Sequence, residues 1–275
     1  MTGQVIKIHS DFFFLNVQDK IISCKVRGIL KRDKIFVGDF VEINSDMIEK
    51  ILPRKNFMNR PAVSNIDKII VTFAAKNPNL HKLVLDKFLV LAELAKIPEI
   101  IICINKTDLI DDKNFLHEYE NLYRVVRVSS LNNENISELK KILSSGVNIF
   151  AGPSGVGKSS LLNSIDENFN LKVGSLSEKI LRGKNTTRTV ELIKFCDGFL
   201  ADTPGFTAVN LKKLSIDEKN LRNCFKEFRN FSDDCKFQNC SHSHEPNCAV
   251  KKAVADKKIL PERYENYLTM LEESK

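Results

Sequence analysis

Gly152-Pro153-Ser154-Gly155-Val156-Gly157-Lys158-Ser159 is the stretch that decides the fold of this 275-residue chain. It matches the pattern GxxxxGK[ST], directly after the strand-like run Val147-Asn148-Ile149-Phe150 and before a helix expected to begin near Lys158. The glycines let successive backbone N–H groups curl round a β-phosphate, which also sits on the positive end of the helix. Lys158 is expected to reach the β- and γ-phosphates, and the Ser159 hydroxyl to ligate Mg²⁺. Pro153, Ser154, Val156 and Ser160 fall in the same nucleotide-binding set.

Downstream, Asp202-Thr203-Pro204-Gly205 follows the apolar run Phe199-Leu200-Ala201. An Asp at a strand end beside a phosphate loop can hold Mg²⁺ through water. Gly205, with no side chain in the way, can offer its N–H to the γ-phosphate. Upstream, Asn105-Lys106-Thr107-Asp108 follows Glu99-Ile100-Ile101-Ile102-Cys103-Ile104. An ionised carboxylate only accepts hydrogen bonds, so Asp108 can take both N–H donors on guanine's edge. Adenine carries its donors elsewhere, which selects GTP over ATP and disfavours a kinase or ATPase. Ser129-Ser130, after the run Tyr123 to Val128, is expected to support the base through backbone contacts.

Around these motifs, apolar strand runs alternate with helical spacing. Lys68 to Phe73 reads as a buried strand; Leu83, Leu85, Phe88, Leu89, Ala92 and Leu94 supply a mostly apolar helix; Ile136, Leu139, Ile142 and Leu143 supply another. Such alternation predicts a parallel sheet covered on both faces, with ligands beyond the carboxyl ends of its strands. The first sixty residues differ. Gly3 to Ile8, Phe12 to Val17, Ile21 to Val26 and Phe40 to Ile43 are short β-branched and aromatic runs separated by Gly28, Gly38-Asp39 and Asn44-Ser45-Asp46. Five or so strands in that length predict a small barrel, with the OB-fold as the leading candidate. Residues Pro53 to Pro61, basic and proline-punctuated, read as the linker out of it.

The end of the chain turns helical and cysteine-rich. Leu214, Leu221, Phe225 and Phe228 mark one helix, and Tyr264, Tyr267, Leu268 and Leu271 a terminal one. Of seven cysteines, Cys24, Cys103, Cys196 and Cys224 read as isolated buried thiols. Cys235, Cys240 and Cys248, with His242 or His244 as the fourth donor, form a set suited to closed, tetrahedral, structural Zn²⁺. A metal there replaces a core that so small a region lacks.

Composition bounds the rest. The chain is 43% hydrophobic and 28% charged with a net charge of +7, which is ordinary for a globular protein with a moderate basic excess. Residues 1–62 carry 11 Lys plus Arg against 7 Asp plus Glu, and Lys25, Arg27, Lys31, Arg32 and Lys34 crowd into ten residues. That clustering favours a polyanionic partner. No apolar run reaches the roughly 18–20 residues that span a bilayer, and Met1 to Ser10 lacks a signal-peptide layout, so residence in the cytoplasm is expected.

Taken in order, these motifs resemble the circularly permuted GTPases of the RsgA family, which act in maturation of the small ribosomal subunit. Ordinary GTPases run phosphate loop, switch, DxxG, NKxD; here Asn105 to Asp108 precedes Gly152 to Ser159, and Asp202 to Gly205 comes last. The likeness extends to Val26-Arg27-Gly28, Val37-Gly38-Asp39, Arg60-Pro61-Ala62-Val63, Leu85-Asp86-Lys87-Phe88-Leu89 and Cys240-Ser241-His242 through Glu245-Pro246-Asn247-Cys248. The resemblance implies an OB-fold domain contacting ribosomal RNA (16S rRNA of the 30S subunit), a central GTPase domain and a C-terminal zinc domain, with hydrolysis stimulated by the subunit. It selects His242 over His244 as zinc ligand. The expected divisions are 1–62, 63–210 and 211–275, in a monomer with no membrane partner.

The catalytic parts depart from the common pattern. Gly183-Lys184-Asn185-Thr186-Thr187-Arg188 is expected to be the switch segment, with Thr187 favoured over Thr186 at Mg²⁺. The position after DxxG, where many GTPases carry a water-orienting glutamine, is Phe206. The family usually has a histidine where this chain has Asn185, and an amide can orient water without exchanging a proton. Slow basal hydrolysis raised by the small subunit is expected; a nucleotide-gated RNA-binding module with negligible hydrolysis is the alternative. Ordering of Gly205 to about Leu214 by the nucleotide is expected to reposition the C-terminal domain.

Overall fold

A computed structural model of the chain describes residues 1–26, 34–166, 169, 190–202 and 216–274. Five strands, β1 (Thr2–His9), β2 (Phe12–Val17), β3 (Lys20–Val26), β4 (Phe40–Asn44) and β5 (Met47–Ile51), close into a barrel in the order β1-β2-β3-β5-β4-β1. That is the OB-fold arrangement, with β3 and β5 as its parallel pair. Alternation puts Val5, Leu15, Cys24, Val41, Ile43 and Ile48 inside.

The segment expected as a linker is ordered. It forms a hairpin of β6 (Phe57–Asn59) and β7 (Ala62–Ser64). Arg54 holds the buried Asp39 carboxylate at 2.6 Å, and the Asn56 side chain bonds both the N–H and the carbonyl of Ile66. The polar side chains there tie down backbone, so the composition read as a linker is in fact structural.

The central sheet contains β8 (Lys68–Ala74), β9 (Glu99–Asn105), β10 (Arg124–Arg127), β11 (Val147–Ala151), β12 (Glu191–Phe195) and β13 (Gly198–Asp202) in the order β10-β9-β8-β11-β13-β12. All pairs are parallel except β12 with β13. Alternate residues serve opposite faces: Ile69, Val71 and Phe73 meet α1 (Lys82–Leu94), while Ile70, Ile101 and Phe150 meet α2 (Ile136–Leu143) and α3 (Lys158–Ile165). Both faces are covered, which explains the mostly apolar runs. Helix α1 is apolar nearly all round because its far side, at Val90, enters the C-terminal core. Strand β12 was not legible as a strand. It also pairs with β1 at Lys7↔Glu191, so barrel and sheet are continuous.

The C-terminal region comprises α4 (Glu218–Asn223), α5 (Arg229–Ser232), α6 (Ala249–Ala255) and α7 (Pro261–Ser274). The single helix expected through Leu221, Phe225 and Phe228 is broken instead; Phe225 leaves helical geometry and a 3₁₀ turn, Lys226–Phe228, follows. The break lets both phenylalanines stack, 5.1 Å between centroids, and meet Tyr267 edge-on. Leu214 lies outside the described residues. Cys24, Cys103 and Cys224 are buried as expected, but Cys196 is exposed, because it stands in the turn between β12 and β13 at φ +48°. No helix among the described residues is long and apolar enough to cross a membrane.

Candidate nucleotide site and zinc centre

Strand β11 is buried throughout and delivers the chain to Gly152 at the carboxyl edge of the sheet. Gly152 adopts φ +139°, and a Cβ there would stand 2.0 Å from the Thr72 carbonyl oxygen; at Gly157, φ +92°, a Cβ would stand 2.4 Å from the Asn105 amide nitrogen. Only glycine fits either place. Gly157 caps α3, whose first residues Lys158 and Ser159 are buried, with Ser160 half-buried. Pro153 is half-buried, Ser154 and Gly155 are exposed, and Val156 is buried. The Lys158 ammonium donates to the carbonyls of Gly152 at 2.7 Å and Pro153 at 2.6 Å. Burial pulls its pKa down to about 8.

The Asn105-Lys106-Thr107-Asp108 segment leaves the carboxyl end of β9, with β8 between it and β11. Lys106 turns the chain in the left-handed region and Thr107–Leu109 forms a 3₁₀ turn. The motif touches the phosphate loop directly. The Asn105 amide donates to the Val156 carbonyl at 3.0 Å, and the Lys106 ammonium donates to the Gly155 carbonyl at 2.8 Å. On its other side, Asn105 accepts the Ser130 N–H at 3.1 Å. The buried Ser129 hydroxyl donates to Asp108 at 2.5 Å and accepts the Asn132 N–H at 3.1 Å. Ser164 of α3 donates to the Ser130 carbonyl, closing the ring of contacts. Segments fifty residues apart and in inverted order are therefore one hydrogen-bonded unit.

Asn77 was not singled out from the sequence, yet its carbonyl also accepts the Lys106 ammonium. It lies past the carboxyl end of β8, the strand next to β11 and β9, where ligand loops of such sheets belong; that position was the available signal. Asp202 ends β13 beside β11. Its side chain, together with Asn185, Thr186, Thr187, Gly205 and Phe206, lies outside the described residues.

Cys235, Cys240, His242 and Cys248 come together with all four ligand atoms within 4.8 Å of one another. The separations are 3.9 Å for Cys235 Sγ to Cys248 Sγ, 3.6 Å for Cys235 Sγ to His242 Nδ1 and 3.4 Å for Cys248 Sγ to His242 Nδ1. Tetrahedral Zn²⁺ with ~2.3 Å Zn–S and ~2.05 Å Zn–N bonds requires about 3.8 Å between sulfurs and about 3.5 Å from sulfur to nitrogen. The set fits. Ser232 faces the other ring nitrogen at 3.2 Å and so orients the imidazole. Burial, with Arg222 second, lowers the His242 pKa to about 4, which keeps the ring neutral as a ligand must be. His244 is exposed and its Nδ1 turns to Ser243. Hydroxyls of Tyr264 and Tyr267 on α7 donate to the carbonyls of His242 and Ser241, so the terminal helix supports the metal loop as well as the core.

Comparison with known proteins agrees with this architecture. The RsgA GTPase family model matches residues 51–212, and the RsgA N-terminal domain model matches residues 2–50. The chain is 41% identical over 285 residues to the small ribosomal subunit biogenesis GTPase RsgA of Caldanaerobacter subterraneus subsp. tengcongensis, covering 99% of this chain and 95% of that protein. It is also 41% identical over 287 residues to the protein of that name from Alkaliphilus metalliredigens, covering 99% and 97%. Among solved structures, YjeQ from Thermotoga maritima superposes with a TM-score of 0.83 at 38% identity, covering 99% of this chain and 98% of that one. YloQ, described as a circularly permuted GTPase, gives 0.82 at 35% identity, covering 99% and 94%. With three modules in this order and a guanine-type motif fused to a phosphate loop that follows it in the chain, the protein belongs to the RsgA GTPase family.

Proposed function

We propose that the chain binds the small (30S) ribosomal subunit in its GTP form, assists late maturation and hydrolyses GTP to GDP and phosphate with stimulation by the subunit. The observation that carries this reading is the fusion of the Asn105–Asp108 segment to the phosphate loop through Asn105–Val156 and Lys106–Gly155. In it, Gly152 to Gly157 wrap the β-phosphate, Lys158 neutralises the β- and γ-phosphates, and Ser160 completes the lining. Asp108, steadied by Ser129, accepts guanine's two N–H donors, and Thr107 shares that loop. Mg²⁺ would be held by Ser159, Thr187 and Asp202, with Gly205 at the γ-phosphate and Asn185 orienting water; only Ser159 of these has a described side chain.

The partner is read as 16S rRNA. On the barrel, Phe12 and Ile21 are 42% and 67% exposed, and the Lys25 ammonium stands 5.1 Å above the Phe12 ring. An exposed ring beside cations is what stacks an unpaired base and neutralises its phosphate. The division of labour is residues 1–62 for RNA, 63–210 for GTP and 211–275 for zinc, in a cytoplasmic monomer without a membrane partner. Phosphate release from GTP, measured with and without small subunits, tests this. Subunits are expected to raise the rate, and co-sedimentation is expected with a GTP analogue and to weaken with GDP. No guanine nucleotide uptake by calorimetry would refute it.

A further inference from the structure

The stretch Glu245-Pro246-Asn247 lies inside the metal loop yet supplies none of its four ligands. Four successive carbonyls of that loop are held from outside. Cys240 accepts Arg222 of α4 at 2.7 Å, Ser241 accepts Tyr267 and His242 accepts Tyr264 of α7, and Ser243 accepts Lys251 of α6 at 3.2 Å. These bonds fasten the loop to the helices around it. Within the loop, the two N–H groups that flank His242 go to one carboxylate. The Ser241 N–H donates to Glu245 Oε1 at 2.6 Å, and the Ser243 N–H donates to Glu245 Oε2 at 3.2 Å.

His242 stands between those two bonds at φ +59°. A side chain other than glycine keeps that left-handed conformation only where the surroundings enforce it. Its imidazole is 1% exposed, with Nδ1 facing Cys235 at 3.6 Å and Cys248 at 3.4 Å. His244, two residues on, is exposed and turns its own Nδ1 to the Ser243 hydroxyl at 2.9 Å. Both rings have the chemistry of a zinc ligand, so the choice between them is made by the backbone that carries them. Charge-assisted bonds to the N–H before and the N–H after His242 fix the peptide units on both of its sides. Pro246 disfavours helical backbone at Glu245 and so limits the ways in which its side chain can leave the loop.

We propose that Glu245 is a positioning residue of the zinc centre: by accepting the N–H groups on both sides of His242 it locks the left-handed turn and makes His242, not His244, the nitrogen ligand. The proposal rests on the zinc reading of the cluster. It is tested on the full chain by competing Zn²⁺ against a chromophoric chelator at neutral pH, and by the visible spectrum of the Co²⁺-loaded protein, which reports the ligand set. Glu245→Ala is expected to weaken zinc binding at least about tenfold, as loss of a partner that orients a metal ligand does. Glu245→Gln, whose amide keeps one acceptor oxygen, is expected to fall between that variant and the parent. His244→Ala is expected to leave zinc affinity unchanged while Glu245 is present. In the Glu245→Ala background it is expected to cost at least about threefold and to alter the Co²⁺ spectrum, because the freed loop lets His244 compete. A general loss of loop order weakens binding without making His244 matter. Where Glu245→Ala does not fold, the same His244 comparison is made in Glu245→Gln. Zinc affinity in Glu245→Ala within about threefold of the parent, or His244→Ala silent in both backgrounds, overturns the proposal. Absence of zinc uptake by the parent chain defeats the zinc reading itself, whereas uptake that is indifferent to Glu245 defeats the positioning role alone.

Discussion

Arg263→Met probes the junction between the zinc module and the GTPase body. Arg263 is 2% exposed and faces Asp86, 0% exposed, and Glu227, 7% exposed. Its guanidinium donates to Glu227 at 2.5 and 3.2 Å and to Asp86 at 2.5 Å, and lies 5.1 Å from the Phe225 ring centre. Three charge-assisted hydrogen bonds at ~1.5–3 kcal/mol each give a gross loss of roughly 5–9 kcal/mol. Against this stands the desolvation of the guanidinium, which the variant no longer bears. Breaking a buried pair by removing one partner costs about 3–5 kcal/mol on balance, and that is the expected destabilisation. Methionine has similar length, so the cavity contribution is small.

The sign of the pH dependence follows from the carboxylates left behind. Burial already pushes the Asp86 carboxyl up, and the Arg263 guanidinium is the main force opposing it. Without Arg263 the folded-state pKa of Asp86 rises further above its unfolded value. The variant's deficit is then greatest at neutral pH and shrinks as pH falls toward the ordinary carboxylate range near ~4. Urea unfolding followed by tyrosine fluorescence suits the assay, because the chain has no tryptophan and its 4 tyrosines, Tyr119, Tyr123, Tyr264 and Tyr267, all line this junction. Replacing all three charges with apolar residues, Asp86→Leu, Glu227→Leu and Arg263→Met, is expected to cost less than Arg263→Met alone. A deficit below about 1 kcal/mol, or one that grows on acidification, would refute the reasoning.

Asp108→Asn replaces an acceptor pair with an amide that also donates, so GTP affinity is expected to fall by at least about a hundredfold while xanthosine nucleotides, which carry an oxygen in place of guanine's amino group, gain; competition binding reads both. Because burial sets Lys158 near 8 and phosphate favours its charged form, GDP binding is expected to take up a proton and to weaken as pH rises above about 8. Titration calorimetry in buffers of different ionisation enthalpy shows the uptake; constant affinity to pH 9.5 contradicts it. Metal analysis is expected to find one zinc per chain, lost in Cys240→Ser and retained in His244→Ala, since His244 points to Ser243.

The site was legible where chemistry demands particular residues in short order. Gly152 and Gly157 are dictated by contacts with Thr72 and Asn105 that no side chain could survive, and Asp108 by the acceptor pair guanine needs. The parallel strands were legible because covering both faces of β8, β9 and β11 leaves their interiors apolar except for the buried Thr72 and Asn148. Strand β12 was not, because Glu191 and Lys194 are spent on Lys7 and Asp19, partners more than 170 residues away in sequence. The same holds for the Asp86–Arg263 contact, whose members lie 177 residues apart on two helices with nothing local to pair them. His242 and His244 fit the ligand spacing equally well. The fold chooses between them through Ser232 and the left-handed turn at His242.

The inverted motif order has a mechanical consequence. Cutting and rejoining the sheet leaves the hydrogen bond between Asn105 and Val156 intact, because it depends on which strands are neighbours and not on which comes first. What changes is where the chain leads next. Beyond β13 it rejoins the described fold at Ile216, buried with Val90 of α1. The loop before α1 carries Asn77, whose carbonyl accepts Lys106 of the base-recognition segment. The zinc module is thus anchored to a helix whose preceding loop contacts the base-recognition segment, so loss of the Asp86–Arg263 contact is expected to loosen both together.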